Sequence, residues 1–181
     1  DLAAKGARPY AYTLTLALGR DIADDWIEAF AAGLAGDQRH YGIVLAGGDS
    51  VSTPGPIWAS ITAFGLADAG RTVRRNGAQP GDIVLVTGTI GDAALGLAVA
   101  QGRLKVDVAD RAVLVDRYSL PQPRTHLAAA IAHHARAAID ISDGLAADFG
   151  HLCHASKVRG QIAASKIPLS PAVRRVVGAD A

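Results

Sequence analysis

Two short aspartate-bearing segments hold the residue types from which a metal and phosphate site can be built. The first is Gly47-Gly48-Asp49, reached from the apolar run Ile43-Val44-Leu45-Ala46. Glycines let backbone N–H groups come close to a phosphate, and a carboxylate beside them can hold a cation. The alternative for these three residues is a tight turn in which Asp49 bonds its own backbone. The second segment is Asp140-Ile141-Ser142-Asp143-Gly144. Asp140 sits at the end of an apolar stretch over 137–141 that reads as a strand, where Asp is disfavoured, and with a period of two it shares a face with Ser142. Asp143 stands where a helix N-cap belongs, and its simplest role is to accept first-turn N–H bonds. As a cluster, two carboxylates and a hydroxyl between a strand end and a helix start are hard oxygen donors beside a positive dipole end, a setting that suits Mg²⁺ and phosphate together. Mg²⁺ keeps several waters and is held by one or two carboxylates plus substrate phosphates, so separated single Asp residues fit it better than a dense cage does.

Other candidates are weaker. Gly88-Thr89-Ile90-Gly91-Asp92 precedes a helix but lacks both the Walker ending and the dinucleotide-fingerprint spacing. Its glycines either meet a ligand or let the helix pack close to its strand. Arg75 could fork onto a phosphate or pair with an Asp. His151 and His154 flank Cys153 without a companion ligand pair, so zinc is a poor reading, and His40, His126, His133 and His134 earn no role. No Ser-His-Asp or Cys-His arrangement has a supporting motif, and no catalytic residue is assigned. What remains is electrostatic work, the main requirement of phosphoryl transfer.

The elements that must position these residues follow from periodicity. Tyr10, Tyr12, Leu14, Leu16 and Leu18 alternate with small residues and predict a strand. Ile22, Trp26, Ile27, Phe30 and Leu34 recur at helical spacing and predict an amphipathic helix over 22–41. Strands are expected at 43–46, 57–64, 82–86, 137–141 and 158–163. Helices are expected from about 92 to 101, over 107–117, 124–135 and 143–156, and from Pro171. Gly70, Gly77, Pro80 and Gly81 punctuate the middle of the chain and place a domain boundary near residue 78. The expected class is α/β, of an α+β two-domain kind.

Composition bounds the function. Across 181 residues, 18 Lys+Arg nearly cancel 17 Asp+Glu, giving +1, and the basic residues are scattered, which disfavours nucleic acid as a partner. No apolar run reaches the roughly 18 residues of a membrane span. Cys153 is the one cysteine, so no intrachain disulfide can form, and a reducing cytoplasm fits. The chain opens without Met and ends on Val176-Val177-Gly178-Ala179-Asp180-Ala181 with no cap in view; both ends read as cut.

Five motifs in register give the sequence a family likeness. They are Asp1-Leu2-Ala3-Ala4-Lys5-Gly6-Ala7-Arg8-Pro9, Gly47-Gly48-Asp49-Ser50, Arg75-Asn76-Gly77-Ala78, Val86-Thr87-Gly88-Thr89-Ile90-Gly91-Asp92 and Ile139-Asp140-Ile141-Ser142-Asp143-Gly144-Leu145. In order and spacing the chain resembles thiamine-monophosphate kinase over essentially its whole length. That family belongs to a wider ATP-binding group with aminoimidazole ribonucleotide synthetase, selenophosphate synthetase and a hydrogenase-maturation protein. The helix Asp24 to Gln38, the Gly47-Gly48-Asp49 segment, and Asp140 to Leu145 followed by Asp148-Phe149-Gly150-His151-Leu152 resemble the kinase version.

The resemblance implies phosphorylation of thiamine monophosphate by ATP to thiamine diphosphate, by direct in-line transfer. It implies Asp1, Asp49 and Asp140 as Mg²⁺ ligands, Asp143 at a further Mg²⁺, and Gly48, Asp49, Arg75 and Ser142 in contact with ATP. Ser50 replaces the family's commoner Thr and keeps the hydroxyl. Residues 1–78 would be part of an N-terminal ATP- and Mg²⁺-binding domain, and 79–181 part of a C-terminal α/β sandwich domain, both incomplete. A homodimer joining the N-terminal sheets would give Thr13 and Thr15 a partner. Two other readings stand beside this one: a different ATP-dependent reaction of the same group, and a non-catalytic dimerising remnant.

The family also carries an acidic Gly-Asp-Asp-type loop before the position of Asp1, and a Gly-Gly-Glu-Asp-type substrate motif after that of Ala181; neither is among these residues. The 181-residue chain alone is therefore expected to form no thiamine diphosphate from ATP and thiamine monophosphate. Product formed by this polypeptide alone in a chromatographic assay would overturn that expectation.

Overall fold

The structure is a computed structural model that describes residues 1–178; Ala179, Asp180 and Ala181 lie outside the described residues. The chain divides into two compact units, Asp1–Gly77 with Thr125–Asp140, and Ala78–Arg124 with Ile141–Ala181. This differs from a single boundary near 78, because Thr125–Asp140 returns to the first unit. The reason is local packing. Gly6, with φ 70°, ends a one-turn 3-10 helix at Ala3–Lys5 and lies against α4 (Ala128–His134), where an added Cβ would come 2.7 Å from the Ala132 Cβ.

In the first unit, β1 (Arg8–Gly19) is the central strand of a three-stranded sheet ordered β2-β1-β3. It runs parallel to β2 (Val44–Thr53) and antiparallel to β3 (Trp58–Leu66). Parallel neighbours need a crossover, and α1 (Asp24–Tyr41) supplies it. Asp24 and Asp25 lie in its first turn and Arg39 and His40 in its last, the placement the helix dipole favours. Gly42, at φ 62°, stops the helix by donating to the Gln38 carbonyl. The predicted helix thus forms, two residues later than expected. Trp26 and Phe30 stack at 5.3 Å, one helical turn apart. Ala11, Tyr12 and Leu16 of β1 are buried, as are Ala4, Ala7, Val73 and Ala128.

The described residues of the second unit contain helices and no strand. Its core is Val99 of α2 (Asp92–Ala100), Leu114 of α3 (Val108–Ser119), and Ala172 and Val173 of α6 (Pro171–Val177). A Cβ on Gly96 would fall 2.0 Å from the Leu114 carbonyl oxygen, so that glycine sets the approach of α2 to α3. Asp107 caps α3 by accepting from the Asp110 N–H at 2.7 Å, and Ser170 caps α6 by accepting from the Val173 N–H at 3.1 Å. The end of α6, read from the sequence as uncapped, closes on Gly178 at φ 67°.

Three expected strands are absent among the described residues: 82–86, 137–141 and 158–163. A strand exists through its ladder, and none of these segments joins the sheet. Ile83 and Leu85 are 85% and 87% exposed, so their apolar run registers β-propensity without a neighbour to satisfy it.

The ion pair between α3 and α6 sets an acid limit on the second unit. Buried Asp110 accepts from the Arg175 Nε at 2.9 Å and from its Nη2, a two-pronged contact. The Arg175 hydrogen bonds hold the Asp110 carboxyl below its usual value, against the opposing effect of burial. A carboxylate whose folded pKa is depressed adds stability above its unfolded pKa of about 3.9 and loses it as the pH falls through the folded value. Asp110→Asn is therefore expected to flatten the fall in melting temperature below about pH 4. An unchanged acid limb in circular-dichroism melts would contradict this.

Candidate functional site

The Gly47-Gly48-Asp49 segment corrects the sequence expectation of a strand end with a tight turn. β2 does not stop at Ala46 but continues to Thr53. The register steps from Tyr12 opposite Leu45 to Thr13 opposite Gly47, leaving Ala46 as the extra residue of a bulge. Gly47 and Gly48 take φ of 154° and 155°, a region that side chains rarely allow. A Cβ on Gly48 would lie 1.8 Å from the Leu14 carbonyl oxygen. The glycines therefore serve a backbone approach within an edge strand. Asp49 follows, opposite Thr15, with its side chain exposed; Oδ1 accepts from the Ser50 N–H at 2.8 Å, leaving Oδ2 to solvent or a cation.

Asp1, Arg75 and Asp140 belong to the same unit as Asp49. A strap over 71–77 is tied at two points: Val73 N–H donates to the Lys5 carbonyl at 3.1 Å, and Ala138 N–H to the Arg74 carbonyl at 3.2 Å. Gly77 allows this course, since a Cβ there would stand 2.1 Å from the Arg136 carbonyl oxygen. The strap that carries Arg75 thus also fixes the 3-10 turn after Asp1 and the segment ending at Asp140. Asp140 is half-buried. Beside the strap, Arg71, Arg74, His133 and Arg136 help line an open groove of about 570 Å³ that includes no predicted ligand.

Ser142 and Asp143 belong to the second unit and are exposed. Asp143 is not the helix cap. Gly144 occupies that position before α5 (Leu145–Ser156) and provides no side-chain bond. The capping work falls to Asp148, whose Oδ2 accepts from the N–H groups of Ser142, Asp143 and Gly144 at 2.9, 3.0 and 3.1 Å. Sequence reading assigned Asp148 no role; the signal for it was a charged residue on a helix face shared with Leu145 and Leu152, which needs partners once buried.

In the turn before α2, Thr89 Oγ1 donates to Asp92 Oδ2, and the guanidinium of Arg124 lies over Gly88, 2.8 Å from where a Cβ would stand. Asp92 is buried, and its Oδ1 makes no hydrogen bond. Among the described residues no three His, Cys, Asp or Glu side chains are grouped to hold a metal unaided. The donor set is one of single, mostly exposed carboxylates. It fits Mg²⁺ arriving with phosphate oxygens and not an all-protein cage.

Fold and donor set together are those of a two-domain α+β protein, and the chain belongs to the AIR synthase related family: residues 1–67 match its N-terminal domain and residues 79–175 its C-terminal domain. Within it, the chain is similar to thiamine-monophosphate kinases. The Caulobacter vibrioides enzyme is 47% identical over 173 residues, covering 94% of this chain and 48% of that protein. The crystal structure of thiamine-monophosphate kinase from Stenotrophomonas maltophilia superposes with a TM-score of 0.90 at 42% identity, over 99% of this chain and 58% of the other. A structure of AaThiL complexed with AMPPCP and TMP gives a TM-score of 0.91 at 31% identity, over 99% of this chain and 57% of that one. The chain spans about half the length of the curated relatives it matches.

The glycine requirement is directly testable. Gly48→Ala is expected to destabilise the first unit by roughly 2–4 kcal/mol through clash and backbone strain. Gly36→Ala, on α1 with nothing within 4 Å of its Cβ position, is expected to be neutral or slightly stabilising. Equal urea midpoints for the two variants would contradict the assigned contact.

Proposed function

We propose that this chain contributes the nucleotide- and Mg²⁺-binding part of a thiamine-monophosphate kinase, which moves the terminal phosphoryl group of ATP onto the phosphate of thiamine monophosphate. The observation that carries the reading is 42–47% identity to enzymes of that name along nearly the whole chain. A solved relative complexed with AMPPCP and TMP supports ATP and thiamine monophosphate as the substrates. No nucleophile is needed in such a transfer, and none is assigned.

In this proposal Asp1, Asp49, Asp140 and Asp143 hold Mg²⁺, and Gly48, Asp49, Arg75 and Ser142 contact ATP. Bound Mg²⁺ would neutralise charge developing on the phosphates. The chain's own part is to hold the carboxylates in place: exposed Asp49 by the bulge of an edge strand, half-buried Asp140 by the strap over 71–77. Gly48 would meet a phosphate beside Asp49 through its backbone, while its missing side chain lets β2 close on Leu14 of β1. Arg75 supplies a planar pair of donors suited to phosphate oxygens.

The proposal extends to a cytoplasmic homodimer built on the three-stranded sheet. Its support is the apolar surface of β2 and β3, where Val44, Val51, Trp58 and Ile61 are each about half exposed, at 49 to 56%. Among the described residues no helix is long and apolar enough to cross a membrane.

The test is made at full family length with Asp49→Asn and Asp140→Asn, which keep shape and remove a hard anionic ligand. Each is expected to lower thiamine diphosphate formation at limiting Mg²⁺ by at least about tenfold, with partial recovery as Mg²⁺ rises. Wild-type rates for both at limiting Mg²⁺ would sink the ligand assignment. A different ATP-dependent product from the unaltered protein would favour another reaction of the group, and absence of nucleotide binding with Mg²⁺ present would favour a remnant.

A further inference from the structure

The turn before α5 has a feature that neither the predicted ligands nor the family likeness explains. Three successive N–H groups, of Ser142, Asp143 and Gly144, converge on one oxygen, Oδ2 of Asp148, at 2.9 to 3.1 Å. Converging N–H groups in a turn make the concave nest that elsewhere receives a phosphate oxygen. Here the nest is filled from within by a carboxylate that is 3% exposed. The Asp148 N–H also donates to the Gly144 carbonyl at 3.0 Å, so the same residue makes the first backbone bond of the helix and ties down the turn that precedes it.

Two consequences follow from the chemistry. A phosphate cannot use those three N–H groups while Asp148 occupies them, because the carboxylate would have to be displaced and left buried without partners. And with their backbones pinned, Ser142 and Asp143 keep exposed side chains whose own hydroxyl and carboxylate are not consumed by capping. A turn capped by Asp143 itself would have spent that carboxylate on the helix.

We infer that Asp148 is a positioning residue: its carboxylate fills the N–H nest of the Ser142-Asp143-Gly144 turn, so that Mg²⁺ and nucleotide phosphate meet this turn through the Ser142 and Asp143 side chains and not through its backbone. The inference rests on the assignment of Ser142 and Asp143 under the proposed function. It makes Asp148 as important to metal affinity as a ligand while touching neither metal nor nucleotide, in the manner of groups that orient metal ligands from behind.

The test uses the protein at full family length, with Mn²⁺ as the probe, read by its electron paramagnetic resonance signal in the presence of ATP, and amide exchange at 142–144 measured without metal. Asp148→Ala is expected to speed exchange of the three amides and to raise the Mn²⁺ concentration at half-saturation by about ten- to a hundredfold. Asp148→Asn keeps an acceptor oxygen but loses the charge, and is expected to fall between that variant and the unaltered protein in both readouts. Asp143→Asn, a ligand change, is expected to weaken Mn²⁺ with amide exchange at 142 and 144 unchanged.

Faster exchange with unaltered Mn²⁺ binding in the Asp148 variants, while Asp143→Asn binds weakly, would overturn the positioning role and leave the site reading standing. Unaltered Mn²⁺ binding in all three would remove the site reading and the inference with it. Should Asp148→Ala fail to fold, Asp148→Asn decides alone: Mn²⁺ binding equal to that of the unaltered protein overturns the inference.

Discussion

A backbone that approaches another backbone more closely than any side chain permits is the constraint on which both units depend. Gly48 lies against the Leu14 carbonyl, Gly77 against that of Arg136, and Gly96 against that of Leu114, each at a distance where a Cβ would overlap oxygen. The first contact lets β2 continue beyond its bulge and delivers Asp49 at the sheet edge. The second ties the strap over 71–77 to the segment that ends at Asp140. The third closes the helical core of the second unit. Protein interiors are packed densely enough that such contacts cannot relax around an added methyl group, so all three act as fixed points and not as flexible joints.

The aspartates sort by environment into two populations. Asp92, Asp110 and Asp148 are buried, and each is bound within the chain: to a threonine hydroxyl, an arginine fork from another helix, and a trio of backbone N–H groups. Asp1, Asp49 and Asp143 are exposed, and Asp140 is half-buried. Burying a carboxylate without partners is costly, and each of the first set has at least one oxygen bonded within the chain, although Asp92 Oδ1 makes no hydrogen bond. The second set is wholly or partly open to solvent, and the side-chain hydrogen bond it makes is the local one from the Ser50 N–H to Asp49 Oδ1. The division is thus electrostatic, with one group of carboxylates bound within the chain and the other open to solvent.

That division was only partly legible in the sequence. The helices at 24–41, 92–100, 108–119, 145–156 and 171–177 follow from periodicity and capping residues, because those signals are local. The strands at 82–86, 137–141 and 158–163 were misread because an apolar run reports propensity and says nothing of a neighbour. Gly47-Gly48-Asp49 stands out in the sequence but its backbone course does not: a register shift between β1 and β2 is a relation between two strands and leaves no mark on either alone. The capping role that Asp143's position offers beside its reading as a metal ligand belongs to Asp148, five residues on, since N-cap preference is judged at the helix boundary and a side chain folding back from within the helix lies outside that window.

The three-stranded sheet raises a last question of balance. Its central strand buries Ala11, Tyr12 and Leu16, while Val44, Leu45 and Val51 of β2 and Trp58, Ile61, Phe64 and Leu66 of β3 are about half exposed, and α1 contains no fully buried residue. Sheets of so few strands draw their stability from an apolar face packed on something else, and soluble surfaces seldom leave this many large apolar side chains together in water. In the crossover helix Phe30 and Leu34 are half-buried. Cover by a second sheet would remove the remaining apolar area from water and stiffen the edge strand that carries Asp49. Association and ligand positioning would then draw on the same surface.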